Sequence, residues 1–372
     1  MTRREWLALI SAAPLLKAAP SAPVAPVSIA KCASYDEDIT AKLTTMFDQL
    51  GGLGKLVRNK TVTVKLNMTG GPGNRLQGMA PAMTHYVHPK VIGATAHLMS
   101  KAGAKRIRFV ESAWATTGPL EDVMLDSGWN VRTLLGAAPG VEFENTNGLG
   151  IRKRYARFKF PGKPYMYPEY VLNPAYEETD VFVSMAKLKE HADCGVTLSL
   201  KNCFGIIPAS IYGDDAGVDE PNEKPTKGRS EVVHRGRRQP AKIAPPELYP
   251  ADGLKTGGYR VSRTVADLAV VRPIHLAIID GVESMAGGEG PWIRGVKAVK
   301  PGVLLAGLNP VSIDTVGTAV MGFDPRAGRG TRPFKNDADN TMLLAEAHGV
   351  GAVDLSRIEV RGVSIADAMY RF

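Results

Sequence analysis

Lys187, Lys189 and His191 stand at i, i+2 and i+4 directly after an apolar run ending near Met185. In extended backbone, alternate residues share one side of the strand, so these three would present basic groups together. Like charges on one face repel unless solvent or an anion compensates them. A third lysine, Lys201 in Thr197-Leu-Ser-Leu-Lys-Asn-Cys-Phe-Gly205, lies beside Leu198, Leu200 and Phe204, poor surroundings for an isolated ammonium. The chemistry these types support is binding of a small anion or carboxylate by Lys187, Lys201 and the adjacent Asn202, with Lys189 and His191 as acid and base. The plain alternative is a solvated loop followed by a lysine that reaches out to water.

Further candidates end short β-rich runs. Asn67 follows Val62–Leu66, Glu111 follows Ile107–Val110, and Asp280 follows His275–Ile279. In a parallel sheet all three converge on one rim, where ligands bind in open α/β folds. Each alone reads as a cap or turn residue. Together they could hold a divalent metal through Glu111, His191 and Asp280, or tune Lys189 and His191 for proton transfer. No HExxH, Cys/His quartet or Walker lysine loop accompanies them, so the cofactor stays unknown. Gly288 and Gly290, in Gly287-Gly-Glu-Gly-Pro291, could bring backbone amides to an anion, and a simple turn explains them equally well. His88, before Pro89, joins the rim as a binding candidate. Asp314, in the first turn after Pro310, is expected to cap its own helix.

These groups need a scaffold. Val27–Ala30 and Thr61–Leu66 read as strands around a helix carrying Ile39, Leu43, Met46 and Leu50. Pro89 opens a second helix with Val91, Ala94, Thr95, Leu98 and Met99 inward and Gly103 closing it. Arg106–Glu111 and Asp180–Met185 are strands, and Val141–Phe160 suggests an irregular hairpin. A helix over Val261–Val271, strands at Ile274–Asp280 and Val303–Gly307, a helix over Pro310–Met321, and a last helix and strand at Asp339–His348 and Ile358–Val360 complete the pattern. The expectation is an α/β fold with mainly parallel sheets flanked by helices. Two portions, 27–208 and 259–372, share one site, and a long irregular insertion over 209–258 is expected to run over the surface.

The chain has 372 residues with a formal charge of +9, 44% hydrophobic and 22% charged residues, which excludes a disordered or collagen-like polymer. Arg3-Arg4 ahead of the apolar run Trp6–Leu16 resembles a twin-arginine export signal. That run is too short for a transmembrane span, and residues 1–26 then comprise a signal and an Ala/Pro-rich linker. A periplasmic or otherwise exported protein served by the twin-arginine machinery is expected. Lys224, Lys227, Arg229, Arg235, Arg237, Arg238 and Lys242 make the insertion basic. With few aromatics among them they do not suggest nucleic acid, and a weak contact with the anionic envelope fits better.

Ala186-Lys-Leu-Lys-Glu-His191 and Thr197–Ile207 together resemble the domain-of-unknown-function 362 family (DUF362). Its typical proline and threonine are here Ala186 and Glu190. The resemblance continues through Val64-Lys-Leu-Asn67, His88-Pro89, Val110-Glu-Ser112, Ile279-Asp-Gly281, Gly288-Glu-Gly-Pro291 and Gly307–Asp314. It implies little about activity. Many members carry an iron–sulfur module, whereas Cys32, Cys194 and Cys203 lack the thiolate pattern such clusters need. The layout is also distantly similar to nickel-pincer lactate racemases, as an analogy only. An exported enzyme acting on a small anionic molecule, or a ligand-binding or cofactor-carrier protein without turnover, is the expectation that follows.

Overall fold

The computed structural model describes residues 22–250 and 252–372. The basic and apolar segment through Leu16 lies outside the described residues. Eight strands form one central sheet: β1 (Val27–Lys31), β2 (Thr61–Lys65), β3 (Arg106–Glu111), β4 (Val141–Asn145), β5 (Val181–Lys187), β6 (Leu276–Gly281), β7 (Val303–Gly307) and β8 (Val360–Gly362). Their order is β8-β1-β7-β6-β5-β2-β3-β4. Neighbours are parallel except around β7, which runs antiparallel to both β1 and β6. The reason is local. Parallel pairing needs a long crossover, usually a helix, but β6 leads to β7 through only the small hairpin Ser284–Ala286 with Lys297–Val299.

Both portions of the chain build this one sheet, because β5 pairs directly with β6. Successive strand residues point to opposite faces, so each buried strand feeds two cores. On one face Val64, Phe109, Met185 and Ile278 pack with Leu43 and Met46 of α1 (Ile39–Gln49) and with Val91 and Leu98 of α2 (Pro89–Lys101). The other face packs Phe182, Ile279 and Leu305 with Val261 and Val265 of α3 (Gly257–Val271) and with Ile313 and Val316 of α4 (Pro310–Val320). A shorter helix, α5 (Thr341–Ala347), adds Met342 to that layer. No helix among the described residues is long and apolar enough to cross a membrane.

Two expectations need correction. The segment from Val141 is not a hairpin: β4 joins β3 in the main sheet, and Ala156–Lys159 pairs instead with Glu169–Leu172. Alternating apolar residues suit either partner, so their spacing does not choose between them. The 209–258 segment is also more than a surface excursion. Val232 and Val233 are fully buried, in the π-helical turn Ser230–His234. Asp214 accepts the amides of Ser230 and Glu231, and Arg260 donates to the carbonyls of Val232 and Val233. Side chains rather than a periodic ladder satisfy this backbone, which is why no pattern announces it. Of the basic residues, Arg235 and Arg237 pair with Glu231, Lys242 with Asp219, and Arg229 points inward.

Candidate functional site

Lys187 closes β5 opposite Asp280 on β6. Its ammonium is fully buried and donates to Tyr35 Oη at 2.7 Å, Ala82 O at 2.9 Å and Asp280 Oδ2 at 3.0 Å. Tyr35 in turn donates to Asp280 Oδ1, and the amides of His88 and Val282 complete that carboxylate. All three ammonium donors and both carboxylate oxygens are therefore engaged. Burial pushes the Lys187 amine down from its ordinary value, and Asp280 pulls it back. Lys187 thus ties β5 and β6 to the Ala82 turn rather than standing ready for a ligand. His88 and Asn67 belong to the same scaffold. His88 stacks on Tyr35 at 3.7 Å and caps α2 through Nδ1, and burial pushes its imidazole down to about 4. Asn67 accepts the Lys187 amide.

Glu111 ends β3 in a second buried pair, with Lys65 of β2. It also accepts the amides of Met68 and Ser112. Glu111, His191 and Asp280 do not gather as metal ligands. Among the described residues no group of three or more His, Cys, Asp or Glu is placed to hold a metal. Each carboxylate is instead spent on a lysine of the neighbouring strand, because an unpaired buried charge is too costly.

Lys189 differs. It lies in a short hairpin, Lys189–His191 against Gly195–Thr197, and its fully buried ammonium donates to two carbonyls, His85 O at 2.7 Å and Glu289 O at 3.0 Å. Among the described residues no carboxylate bonds to it. Burial first, then the charges of Lys201 and Lys187, push this amine well below its ordinary value against the pull of Glu289. Around it stand neutral histidines. Burial and Lys201 push His191 down to about 3, and burial with Lys189 and Lys187 pushes His85 down to about 2. His85 Nε2 is buried with no hydrogen-bond partner among the described residues, as is Thr197 Oγ1 beside Lys189 in the hairpin. Lys201 is half-buried over the Phe204 ring at 4.5 Å and makes no hydrogen bond or ion pair among the described residues. His234, delivered by the insertion, packs edge-on to the same ring.

The glycine loop works through its central residue. A β-carbon on Gly288 would press on Ile293, and one on Gly290 would collide with the Trp292 ring, so both glycines permit a tight fold-back. The loop thereby places the Glu289 carbonyl on Lys189 and the Glu289 carboxylate on the Ala192 amide and the Trp292 indole, 3.7 Å from His191 Nδ1. Burial opposes its ionisation, yet these donors hold the Glu289 carboxyl below its ordinary value. An open cavity of about 580 Å³ lies elsewhere, lined by Lys163, Tyr165, Tyr249, Tyr259 and Arg263. Lys189 is fully buried beneath the Glu289 carbonyl of the Gly287–Trp292 loop.

The Ser199–Asn202 turn that carries Lys201 is held from three sides. Asp314 accepts the Ser199 and Leu200 amides and the Ser199 hydroxyl, capping this helix rather than its own. Asn309 caps α4 instead. Asn202 donates to Lys65 O, Ser184 Oγ and Met185 O, which makes it a brace between strand ends. Gly205 is where the chain crosses the Lys65–Glu111 pair, since a β-carbon there would sit 2.8 Å from Lys65 Nζ. Sequence reasoning passed over Tyr35, His85, Glu289 and His234. His85 and Glu289 were adjacent to chosen motifs, but nothing in their spacing announces contact with Lys189.

The family model for the domain of unknown function DUF362 matches residues 62–319, which include Lys187, Lys189, His191, Lys201, Asp280 and Glu289 but not Tyr35. The chain belongs to this DUF362 family. Among curated proteins it is similar to the thylakoid-associated protein sll1697 of Synechocystis sp., at 27% identity over 198 residues, 52% of this chain and 55% of that protein. Among solved structures it is similar to the lactate racemase apoprotein of Thermoanaerobacterium thermosaccharolyticum, with a TM-score of 0.37, 10% identity, and coverage of 74% of this chain and 54% of the other. A Thermotoga maritima protein follows at 0.33 and 12%, covering 73% and 56%. The DUF362 chain thus spans about half the length of each of these relatives.

Proposed function

We propose that this DUF362 protein is an enzyme acting on a small anionic, carboxylate-bearing molecule, with Lys189 and His191 as its acid–base pair. The observation that carries the reading is Lys189 itself, a buried amine bonded to two carbonyls and, among the described residues, to no carboxylate, next to two further lysines. A group so placed is easily neutral, hence basic enough to take a proton and able to gain from an arriving anion. Lys201, without an ion-pair partner among the described residues, supplies attraction for the anionic group. His191 is the second proton carrier, oriented by the Asp193 amide at Nδ1 and by Glu289. Lys187, Asn67, His88, Asn202, Glu111 and Asp280 support the site rather than touch the ligand. A metal is not part of this reading, because Glu111 and Asp280 already neutralise lysines.

The competing reading is a binding or carrier protein with the same pocket and no turnover. Separating the two requires binding and conversion to be measured together. A panel of small carboxylates is incubated with the protein in deuterated water, and hydrogen exchange at carbon is followed by NMR alongside calorimetric binding. Retained binding with lost exchange in Lys189→Met and His191→Asn supports catalysis; no exchange by the unaltered protein, with binding lost in both variants, supports the carrier. We also propose export through the twin-arginine route, supported by Arg3-Arg4 and Trp6–Leu16. Fractionation of cells expressing the full chain and an Arg3→Lys, Arg4→Lys variant tests it, with retention of the variant in the cytoplasm expected.

A further inference from the structure

Two indoles remain outside the scheme above. Trp114 is 54% exposed and Trp292 45%, whereas Trp129 is buried in the core. Both exposed indoles lean on one turn. A β-carbon on Gly70 would collide with the six-membered ring of Trp292, and one on Gly71 would lie 3.9 Å from Trp114 Cε3. Gly70, with φ +80°, and Gly71 therefore leave a bare backbone floor against which two rings are set.

The rings are fixed differently. Trp292 donates through Nε1 to Glu289, meets His85 edge-on at 5.9 Å, and belongs to the loop that covers Lys189. Trp114 lies against Gly228, whose ideal β-carbon would be 3.0 Å from its Nε1, and makes no hydrogen bond or ring contact among the described residues. Next to Gly228 is Arg229, whose buried guanidinium donates to Ile207 O and Asn147 Oδ1. Burial pushes Arg229 down to about 10. The two indoles thus border basic groups that have no carboxylate bonded to them among the described residues, Trp292 reaching Lys189 through Glu289 and Trp114 lying against Gly228 beside Arg229. Rigid aromatic surface with one face open suits a flat ring, whereas a protein-binding patch of this kind would be wider and less charged.

We propose that Trp114 and Trp292 form a subsite for a flat unsaturated ring carried by the anionic ligand, which makes the substrate class a ring-bearing carboxylate. The proposal rests on the reading of Lys201 as the anion's partner and of Lys189 as the acid–base group beside it. It accounts for both exposed indoles, for the two glycines beneath them, and for the link from Trp292 through Glu289 to Lys189.

Calorimetric titration of the full chain with benzoate, propionate and benzyl alcohol tests it. Benzoate is expected to bind about tenfold tighter than propionate, and benzyl alcohol more weakly than benzoate. Trp114→Leu should bring benzoate to the level of propionate and leave propionate unchanged. Quenching of tryptophan emission by benzoate should fall in the same variant, with buried Trp129 still emitting. An unchanged benzoate-to-propionate ratio in Trp114→Leu, or no saturable benzoate binding in the millimolar range, overturns the subsite. So does a variant that shifts the native mass from dimer to monomer while the ratio stays put, since the rings would then cover a second copy. Lys201→Met separates the two claims. Loss of propionate affinity upholds the anion role, whereas unchanged propionate affinity with ring preference intact refutes that role and leaves the ring subsite standing.

Discussion

Lys187 and Asp280 face each other across β5 and β6, both completely buried, with Tyr35 bonded to both. Removing either charge strands the other in the core. Lys187→Met or Asp280→Asn is expected to cost about 3–5 kcal/mol, while Lys187→Met with Asp280→Leu recovers a large part. Urea denaturation of the singles and the double gives the coupling. Equal and additive losses would show that the pair does not act as a unit.

Gly205 passes over the Lys65–Glu111 pair with no room for a side chain. Gly205→Ala forces the pair or the turn to shift, and a loss of about 1–3 kcal/mol is expected. Thermal melts against Gly73→Ala, where nothing lies within 4 Å of the ideal β-carbon, provide the control.

Burial of His85 and His191 brings an acid dependence with a definite sign. Their folded values, about 2 and about 3, lie below the ordinary 6.5. Between 6.5 and those values the unfolded chain binds protons that the native chain does not. Their contribution to stability is therefore complete above pH 6.5 and is lost as pH falls, by up to about 1.4 kcal/mol per pH unit for each histidine. Urea midpoints between neutral and mildly acidic pH measure the slope. His85→Gln should reduce it, and an unchanged slope would contradict the burial argument.

Asp314 carries the opposite sign. Burial raises its carboxyl from 3.8 to about 7, although the Ser199 and Leu200 donors pull it down. The native state then holds its proton more tightly than the unfolded chain, so this contribution is full below pH 3.8 and is lost as pH rises through about 7. Asp314→Asn should remove that dependence while keeping one acceptor for the cap. Asp314→Ala should lose about 1–2 kcal/mol as a missing N-cap. Denaturation of all three proteins across this range distinguishes the two effects.

Much of the scaffold was legible from periodicity. The buried positions Val91, Ala94, Thr95, Leu98 and Met99 of α2, and Gly103 at φ +92° beyond its end, follow from helical spacing and the need for a left-handed residue. β5 and β6 are apolar but for Ser184 and the strand-end Lys187 and Asp280, because both their faces are covered. The antiparallel turn at β7 and the burial of Val232 and Val233 were not legible, because each depends on contacts distant in sequence.

For the site, the sequence by itself singled out Lys187, Lys189, His191 and Lys201 as an unusual set of basic groups at strand ends. Residue type and local spacing are enough for that. Only the tertiary structure decided which of them has a counter-charge. Lys187 found Asp280 and Tyr35 across long stretches of chain, Glu111 found Lys65, and Lys189 was left with the carbonyls of His85 and Glu289. Pairing of buried charges is set by which strands lie side by side and by what each loop brings over their ends. Strand order and loop placement depend on packing across the whole sheet, and no run of neighbouring residues encodes them.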